Sequence, residues 1–267
     1  MIIGVSGKIS SGKDTVGKII QYLTEEGDWE NYDDFNNYYA INLKEETFKW
    51  QIKKYAGKLK QIVSLLTGIP VEDFEKEEVK NSYLGEEWNT KVEGVLGKNN
   101  IHKVIVREFL QKLGTECMRN IIHTDVWVNA LFSEYKEEFI NKGIGNFHDP
   151  IGYKKPLGFP NWIITDVRFP NEADAIIERG GVLIRVERPV EIVRDRAGDG
   201  SKRTIEKFDE NNESHIRLRV GHNHMHPSET SLDDYKGFKY LIKNDSDIET
   251  LVKSVKQILY SEEILKV

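Results

Sequence analysis

Gly7, Gly12 and Lys13, in the run GKISSGKDT, have the types and spacing that hold a phosphate: a glycine, four residues, then a glycine and a lysine. The glycines let the backbone approach phosphate oxygens. Successive N–H groups, among them that of Ser11, and the start of a following helix then face the anion, and the lysine reaches the outer phosphates. Such loops usually place Ser or Thr directly after the lysine, where the hydroxyl meets Mg²⁺. Here Asp14 stands there and Thr15 follows. The hydroxyl thus stands one place later than in the usual pattern, which narrows the class and leaves the direct metal ligand open. Gly7, Ser11, Gly12, Lys13, Asp14 and Thr15 are the candidate donor-site residues.

The elements that must position this loop can be read on either side of it. IIGV is a short apolar strand before it. Val16, Ile19, Ile20 and Leu23 after it have helical spacing. Residues 28–45 are acidic and aromatic without a clean period and read as an excursion. FKWQIKKYA suggests a second strand, and GKLKQIVSLLTGIP a helix closed by Gly68 and Pro70. Residues 71–105 are charged and irregular. Val106, Phe109, Leu110 and Leu113 restore helical spacing, with Gly114 and Thr115 expected to end that helix. Asp125 is expected to cap another helix running through VWVNALFSEYKEEFINKG.

Residues 143–160 read as a loop, and NWIITDV as a strand ending at Asp166. PNEADAIIERGG reads as a short helix with Asn171 as its cap, and VLIRVERP and FKYLIKN as strands. The last helix, DSDIETLVKSVKQIL, is assigned a capping box of Ser246 and Glu249. Strands alternating with helices predict an α/β fold, a parallel sheet with helices on both faces. One domain over 1–267 is expected, with a helical region at about 56–142 and a lid at about 189–230.

Formal charge is −6 and 39% of residues are hydrophobic. An acidic chain is a poor general binder of nucleic acid, whose affinity rests on Lys and Arg meeting phosphates. The single cysteine, Cys117, excludes an internal disulfide and cysteine-based zinc clusters and fits a reducing cytoplasm. No apolar run approaches the roughly 20 residues of a membrane span, and the N-terminus lacks the basic start of a signal peptide. The expectation is a soluble cytoplasmic protein with small-molecule substrates and no nucleic-acid or membrane partner; a homodimer is compatible with it.

SGKDT, AGKLK, REFLQKLGTE, DVWV, ITDVRFPNEADAI, HPSE and LIKND occur in an order that resembles phage-type deoxynucleoside monophosphate kinases, from Ser6 to about Val255. LGTE together with TDVRFPNEAD is the specific part. The resemblance implies the P-loop nucleoside monophosphate kinase fold and transfer of the ATP γ-phosphate to a deoxynucleotide 5′-phosphate with Mg²⁺, in the host cytoplasm if the chain is phage-encoded. It implies Leu59, Lys60, Arg107, Gln111, Gly114, Thr115, Trp127, Asp166, Arg168 and Glu172 on the acceptor side. Asp166 is also the candidate metal partner, through water.

The residues themselves agree with that chemistry, because two polyanions brought together need cations from separate segments. Lys60, Arg107, Arg168 and Arg188 are the candidates, with Arg194 and Arg196 in a basic loop expected to close over the phosphates beside Lys13. Arg107 and Gln111 share a helix face. Periodicity alone favours a solvated face there, beside a Glu108–Lys112 pair, whereas the LGTE match favours the acceptor. Trp127 is read by default as a core tryptophan, with packing against the base as the alternative. Asp166 and Arg168 could form a structural ion pair or line the crevice at the strand ends. Asn244 fits a base edge and fits a strand-to-helix turn just as well. His222, His224 and His226 alternate, but no acidic or cysteine partner at ligand spacing accompanies them, so a polar strand face is preferred to a metal site. The rival functions are a kinase of another phosphorylated metabolite, such as dephospho-coenzyme A, and a nucleotide-binding module without transfer.

Overall fold

The computed structural model describes residues 1–27, 29–42, 48–93, 99–142, 153–189, 191–196, 202–207, 216–220 and 226–266. In chain order these form β1 (Ile2–Gly7), α1 (Lys13–Thr24), α2 (Tyr32–Asn42), β2 (Trp50–Lys53), α3 (Ala56–Thr67), α4 (Glu77–Lys80), β3 (Thr90–Glu93), β4 (Asn99–His102), α5 (Val106–Gln111), a π-helix (Lys112–Ile122) and α6 (Val126–Phe132). There follow β5 (Glu138–Lys142), β6 (Tyr153–Gly158), β7 (Asn161–Val167), α7 (Pro170–Ile177), β8 (Val182–Glu187), β9 (Glu191–Arg196), β10 (Lys202–Lys207), β11 (Ile216–Val220), α8 (Pro227–Thr230), β12 (Tyr240–Lys243) and α9 (Ile248–Ser261). They divide into two compact units, Met1–Lys53 with Lys136–Val267, and Lys54–Tyr135.

The first unit is built on a five-stranded sheet in the order β12-β8-β1-β7-β2, with every neighbouring pair parallel. β1 is central and almost wholly buried, so it is apolar on both faces. Ile3 and Val5 pack with Val16, Ile19 and Ile20 of α1 and Leu251, Val255, Ile258 and Leu259 of α9. Gly4 looks the other way. A Cβ there would lie 2.6 Å from Leu183 and 2.7 Å from Ile176, so the missing side chain is what lets α7 approach that face. Helices therefore cover both faces, as expected.

Several local expectations are corrected. Residues 32–42, inside the excursion, form α2, whose helix rests on tertiary aromatic packing: the Phe35 ring lies 5.4 Å from Tyr22 and 5.5 Å from Trp29. Asn171 does not cap α7. Phe169 holds that position, and the Glu172 carboxylate accepts from its backbone N–H. In α9 the cap is Asp247, which accepts from Thr250 N at 2.8 Å, so the Ser246–Glu249 box is one residue out of register. β7 runs one residue past Asp166. Part of the expected loop at 143–160 is strand β6, paired antiparallel with β5, and residues 143–152 lie outside the described residues. The basic segment expected as a loop contains β9, β10 and β11, an antiparallel three-stranded sheet. Only β11, IRLRV, alternates apolar with charged residues, the period of a strand; β9 (EIVRDR) and β10 (KRTIEK) do not, so their pairing was not legible as strand period. His222 and His224 lie outside the described residues. His226 caps α8, accepting from Ser228 N.

The second unit buries Leu59, Val63, Phe74, Val106, Val128 and Leu131. α3 ends at Gly68 in the left-handed conformation, φ 75, as its sequence predicted. The irregular segment 71–105 holds short helical turns and the β3–β4 hairpin. Gly114 and Thr115 do not end their helix. It continues to Ile122 with wider turns, closed by His123 N donating to Met118 O five residues back. α6 stops at Phe132, and the segment expected to extend it becomes β5.

Candidate functional site

Strand β1 delivers the chain to the loop between Gly7 and Lys13. Gly7 has no room for a side chain: a Cβ would collide with Ser11 and lie 2.6 Å from the Val186 carbonyl. Ser10 and Gly12 take positive φ, 63 and 94. Such alternation turns successive N–H groups toward one point and makes an anion nest. Ser11 N donates to Lys8 O at 3.1 Å, closing the turn. The Ser11 hydroxyl is buried with no hydrogen-bond partner among the described residues, the kind of orphan that a bound group satisfies.

Three further elements pin this loop. Asn244, just beyond β12, donates its side-chain amide to Ser11 O at 2.9 Å. The sequence left Asn244 between a base contact and a turn; its amide holds the loop. Arg185 on β8 donates to Ser6 Oγ at 3.2 Å and to Asp233 at 3.0 Å, and Asp233 also pairs with Lys8 at 3.2 Å. Thr165 donates to Asp14 Oδ1 at 2.9 Å, tying the residue after the lysine to β7.

Lys13 is the electrostatic centre. Burial pushes its ammonium below the ordinary value of 10.5; Asp14 opposes the shift, Arg168 adds to it, and Glu229 and Asp166 oppose it. Asp166 is 7% exposed on β7. Arg168 donates to Glu229 at 3.3 Å. Glu229 closes the HPSE run quoted for the resemblance, and Thr165 and Asp233 were missed altogether. The signal for Asp233 was an acidic run, LDDY, two residues past the HPSE element. Glu172 is buried, and its carboxylate takes the backbone N–H groups of Arg168 and Phe169 at 2.8 and 3.1 Å. It therefore orients the turn that carries Arg168.

Beside the loop opens a cavity of about 850 Å³, lined among others by Lys8, Ser11, Arg185, Arg188, Lys243 and Asp245. Arg194 and Arg196 lie on β9, opposite Thr204 and Lys202 of β10.

The second unit holds the other candidates. Lys60 on α3 pairs with Glu75 at 2.6 Å. Arg107 on α5 donates to Glu77 at 2.6 Å and to Asn81 at 3.2 Å. The Glu108–Lys112 pair forms at 2.8 Å, and His102 also meets Glu108. Gln111 is the last residue of α5. Trp127 is buried and donates its indole N–H to Gly114 O at 2.8 Å, a carbonyl in the π-helix, so the indole locks that helix in place. Leu59 packs on Gly114, where a Cβ would sit 2.6 Å from its Cδ2. Thr115 is buried beside them. The structure thus gathers Leu59, Gly114, Thr115 and Trp127 into one interior, and separately presents Lys60 and Arg107 on carboxylates.

A parallel α/β sheet whose central strand feeds a phosphate-type loop defines a P-loop protein of the nucleoside monophosphate kinase type. A model of the deoxynucleotide monophosphate kinase family matches residues 24–197, more than half of the chain, and the chain belongs to that family. The match begins after the glycine loop and ends before β12, so the loop and its Asn244 tether are evidence independent of it. No curated protein sequence matches the chain at a significant level. No helix among the described residues is long and apolar enough to cross a membrane.

Proposed function

We propose that the protein transfers the γ-phosphoryl group of ATP to the 5′-phosphate of a deoxynucleoside monophosphate, for deoxynucleotide supply. An oxygen of the acceptor phosphate bonds to the γ-phosphorus, the bond from that phosphorus to the β–γ bridging oxygen breaks, and ADP leaves with the electron pair. The acceptor is already ionised, so no dedicated base is required; positioning and charge carry the chemistry. The observation that carries the reading is the strained loop with its unpartnered Ser11 hydroxyl next to a desolvated Lys13. The adjoining cavity is of a size for the nucleoside part of the donor, and Lys8, Arg185 and Arg188 supply positive charge along it.

Mg²⁺ fits this donor set. It typically binds through one or two carboxylates plus substrate phosphates and retained waters. Asp14 and Asp166 both act on Lys13 electrostatically, and they would hold the ion on the phosphate side of the loop. Bound there, Mg²⁺ would neutralise phosphate charge. Lys60, Arg107 and Arg168 serve the acceptor in this reading, and Arg194 and Arg196 add charge over the transferring group.

The deciding experiment is ADP release from ATP with each deoxynucleoside and ribonucleoside monophosphate, with the product identified by chromatography. Acceptor-dependent ADP with one or more deoxynucleotides is expected. ATP binding without acceptor-dependent release would mean a nucleotide-binding module. Transfer to dephospho-coenzyme A alone would mean the rival kinase.

Two substitutions test the donor side. Asn244→Ala frees the Ser11 carbonyl, and one lost neutral hydrogen bond is worth about 0.5–1.5 kcal/mol, so the ATP KM should rise about two- to tenfold with the acceptor KM unchanged. Asp166→Asn keeps the shape and removes a charge. Turnover should fall, and titration with Mg²⁺ should show a higher requirement. A change in acceptor KM alone would make Asp166 an acceptor ligand instead.

A further inference from the structure

Two of the cations assigned to the acceptor, Lys60 and Arg107, are paired with carboxylates of one acidic segment. Glu75 Oε1 accepts from Lys60 at 2.6 Å and from Lys54 at 3.3 Å. Glu77 Oε2 accepts from Arg107 at 2.6 Å, and its Oε1 from Lys80 at 3.1 Å. Lys80 also donates to the Glu75 carbonyl at 3.2 Å, so the two clusters are joined through it. The partners differ in depth. The Lys60 and Arg107 side chains are 13% and 21% exposed, whereas Glu75 and Glu77 are 53% and 62% exposed. The cations are recessed and the carboxylates reach them from the solvent side.

A recessed cation with an exposed anion above it is poorly explained by stability. Pairs with one partner in water contribute little, because screening and side-chain entropy offset the Coulomb gain. The arrangement suits replacement. A phosphate ester dianion carries up to twice the charge of a carboxylate and three acceptor oxygens, so it outcompetes a carboxylate for the same donors.

We propose that Glu75 and Glu77 are placeholder anions: they keep Lys60 and Arg107 in binding geometry, and the 5′-phosphate of the acceptor displaces them. They thereby set a threshold that only a strong anion passes, which makes them specificity-determining residues. This rests on the reading of Lys60 and Arg107 as acceptor ligands. The ionisation of both carboxylates agrees with it. Burial works to raise each, yet hydrogen bonds and charge from Lys60 and Lys54 at Glu75, and from Lys80 and Arg107 at Glu77, hold each below the ordinary carboxylate value. Both are charged at neutral pH and occupy the cations until something stronger arrives.

The test uses Glu75→Gln, Glu77→Gln and the double variant in the full chain. Glutamine preserves shape and removes the competing charge. The acceptor KM at saturating ATP should fall about two- to fivefold in each single variant, as expected for losing one modest ion pair, while the ATP KM stays constant. Inorganic phosphate, titrated calorimetrically without ATP, should bind tighter by a similar factor. A raised acceptor KM would overturn the proposal, because the carboxylates would then be orienting the cations in the bound state. Unchanged KM and unchanged phosphate affinity would also overturn it. If the wild-type protein transfers phosphate to no deoxynucleotide yet the variants gain phosphate affinity, the displaceable anion site stands and the kinase reading fails. The single variants stand independently, so misfolding of one, seen by thermal unfolding, leaves the other to decide.

Discussion

Lys13→Ala removes phosphoryl transfer, by about 10²–10³ in turnover or more, and leaves the fold intact. The lysine opens α1 from a loop, so it contributes charge rather than core packing. Its ammonium is desolvated, and Arg168 opposes it further, so a nearby polyphosphate gains more from it than from a solvated lysine. Near-normal turnover in the variant would mean that the loop is not the donor site; an unfolded variant would assign the lysine a structural part. The same burial predicts a pH effect. Because the folded-state value lies below 10.5, kcat/KM for ATP should fall as pH rises through that lowered value, when the free enzyme loses the charge. Linkage gives stability the opposite slope. Between the lowered value and 10.5 the unfolded chain binds more protons than the native one, so this group's contribution to stability rises with pH across that window while activity declines.

Arg107→Lys should raise the acceptor KM about tenfold or more and leave the ATP KM nearly unchanged. The guanidinium already makes a two-pronged contact, Nη2 to Glu77 and Nε to Asn81, which shows that its fork can address two acceptor atoms at once. Lysine keeps the charge and loses the fork. A charge-assisted contact is worth about 1.5–3 kcal/mol, which sets the size of the effect. Steady-state kinetics with each substrate varied in turn decides it. A shift in the ATP KM with the acceptor unaffected would remove α5 from the acceptor site.

What could be read from the sequence follows from how local its causes are. β1, the loop and α1 were readable because an apolar run, a glycine spacing and a helical period sit next to one another. β7, β8 and α9 were readable for the same reason. Other features depend on distant partners. α2 has weak helical periodicity of its own and rests on rings contributed by Tyr22 and Trp29. The sequence of 112–122 carries the apolar spacing of an α-helix, so spacing does not reveal its wider turns. Asp233 and Thr165 act on Lys8 and Asp14, residues far away in sequence, and their types are ordinary in turns and strands. Glu75 and Glu77 read as a charged surface because their role lies in which cations lie beneath them.

The sheet order has a consequence for the making of the protein. β1 leaves the ribosome well before its two neighbours in the sheet, β7, which begins at Asn161, and β8, which ends at Glu187. At roughly 5–20 residues per second, the apolar strand that feeds the phosphate loop waits on the order of ten to thirty seconds for a neighbour. Asn244, which fastens the loop, emerges later still. Nascent chains therefore carry an unpaired hydrophobic strand while the residues between β1 and β7 are made, and the phosphate-type loop is fastened only after Asn244 has emerged. Slowed elongation between residues 7 and 160 should increase the demand for chaperones, whereas slowing after residue 244 should not.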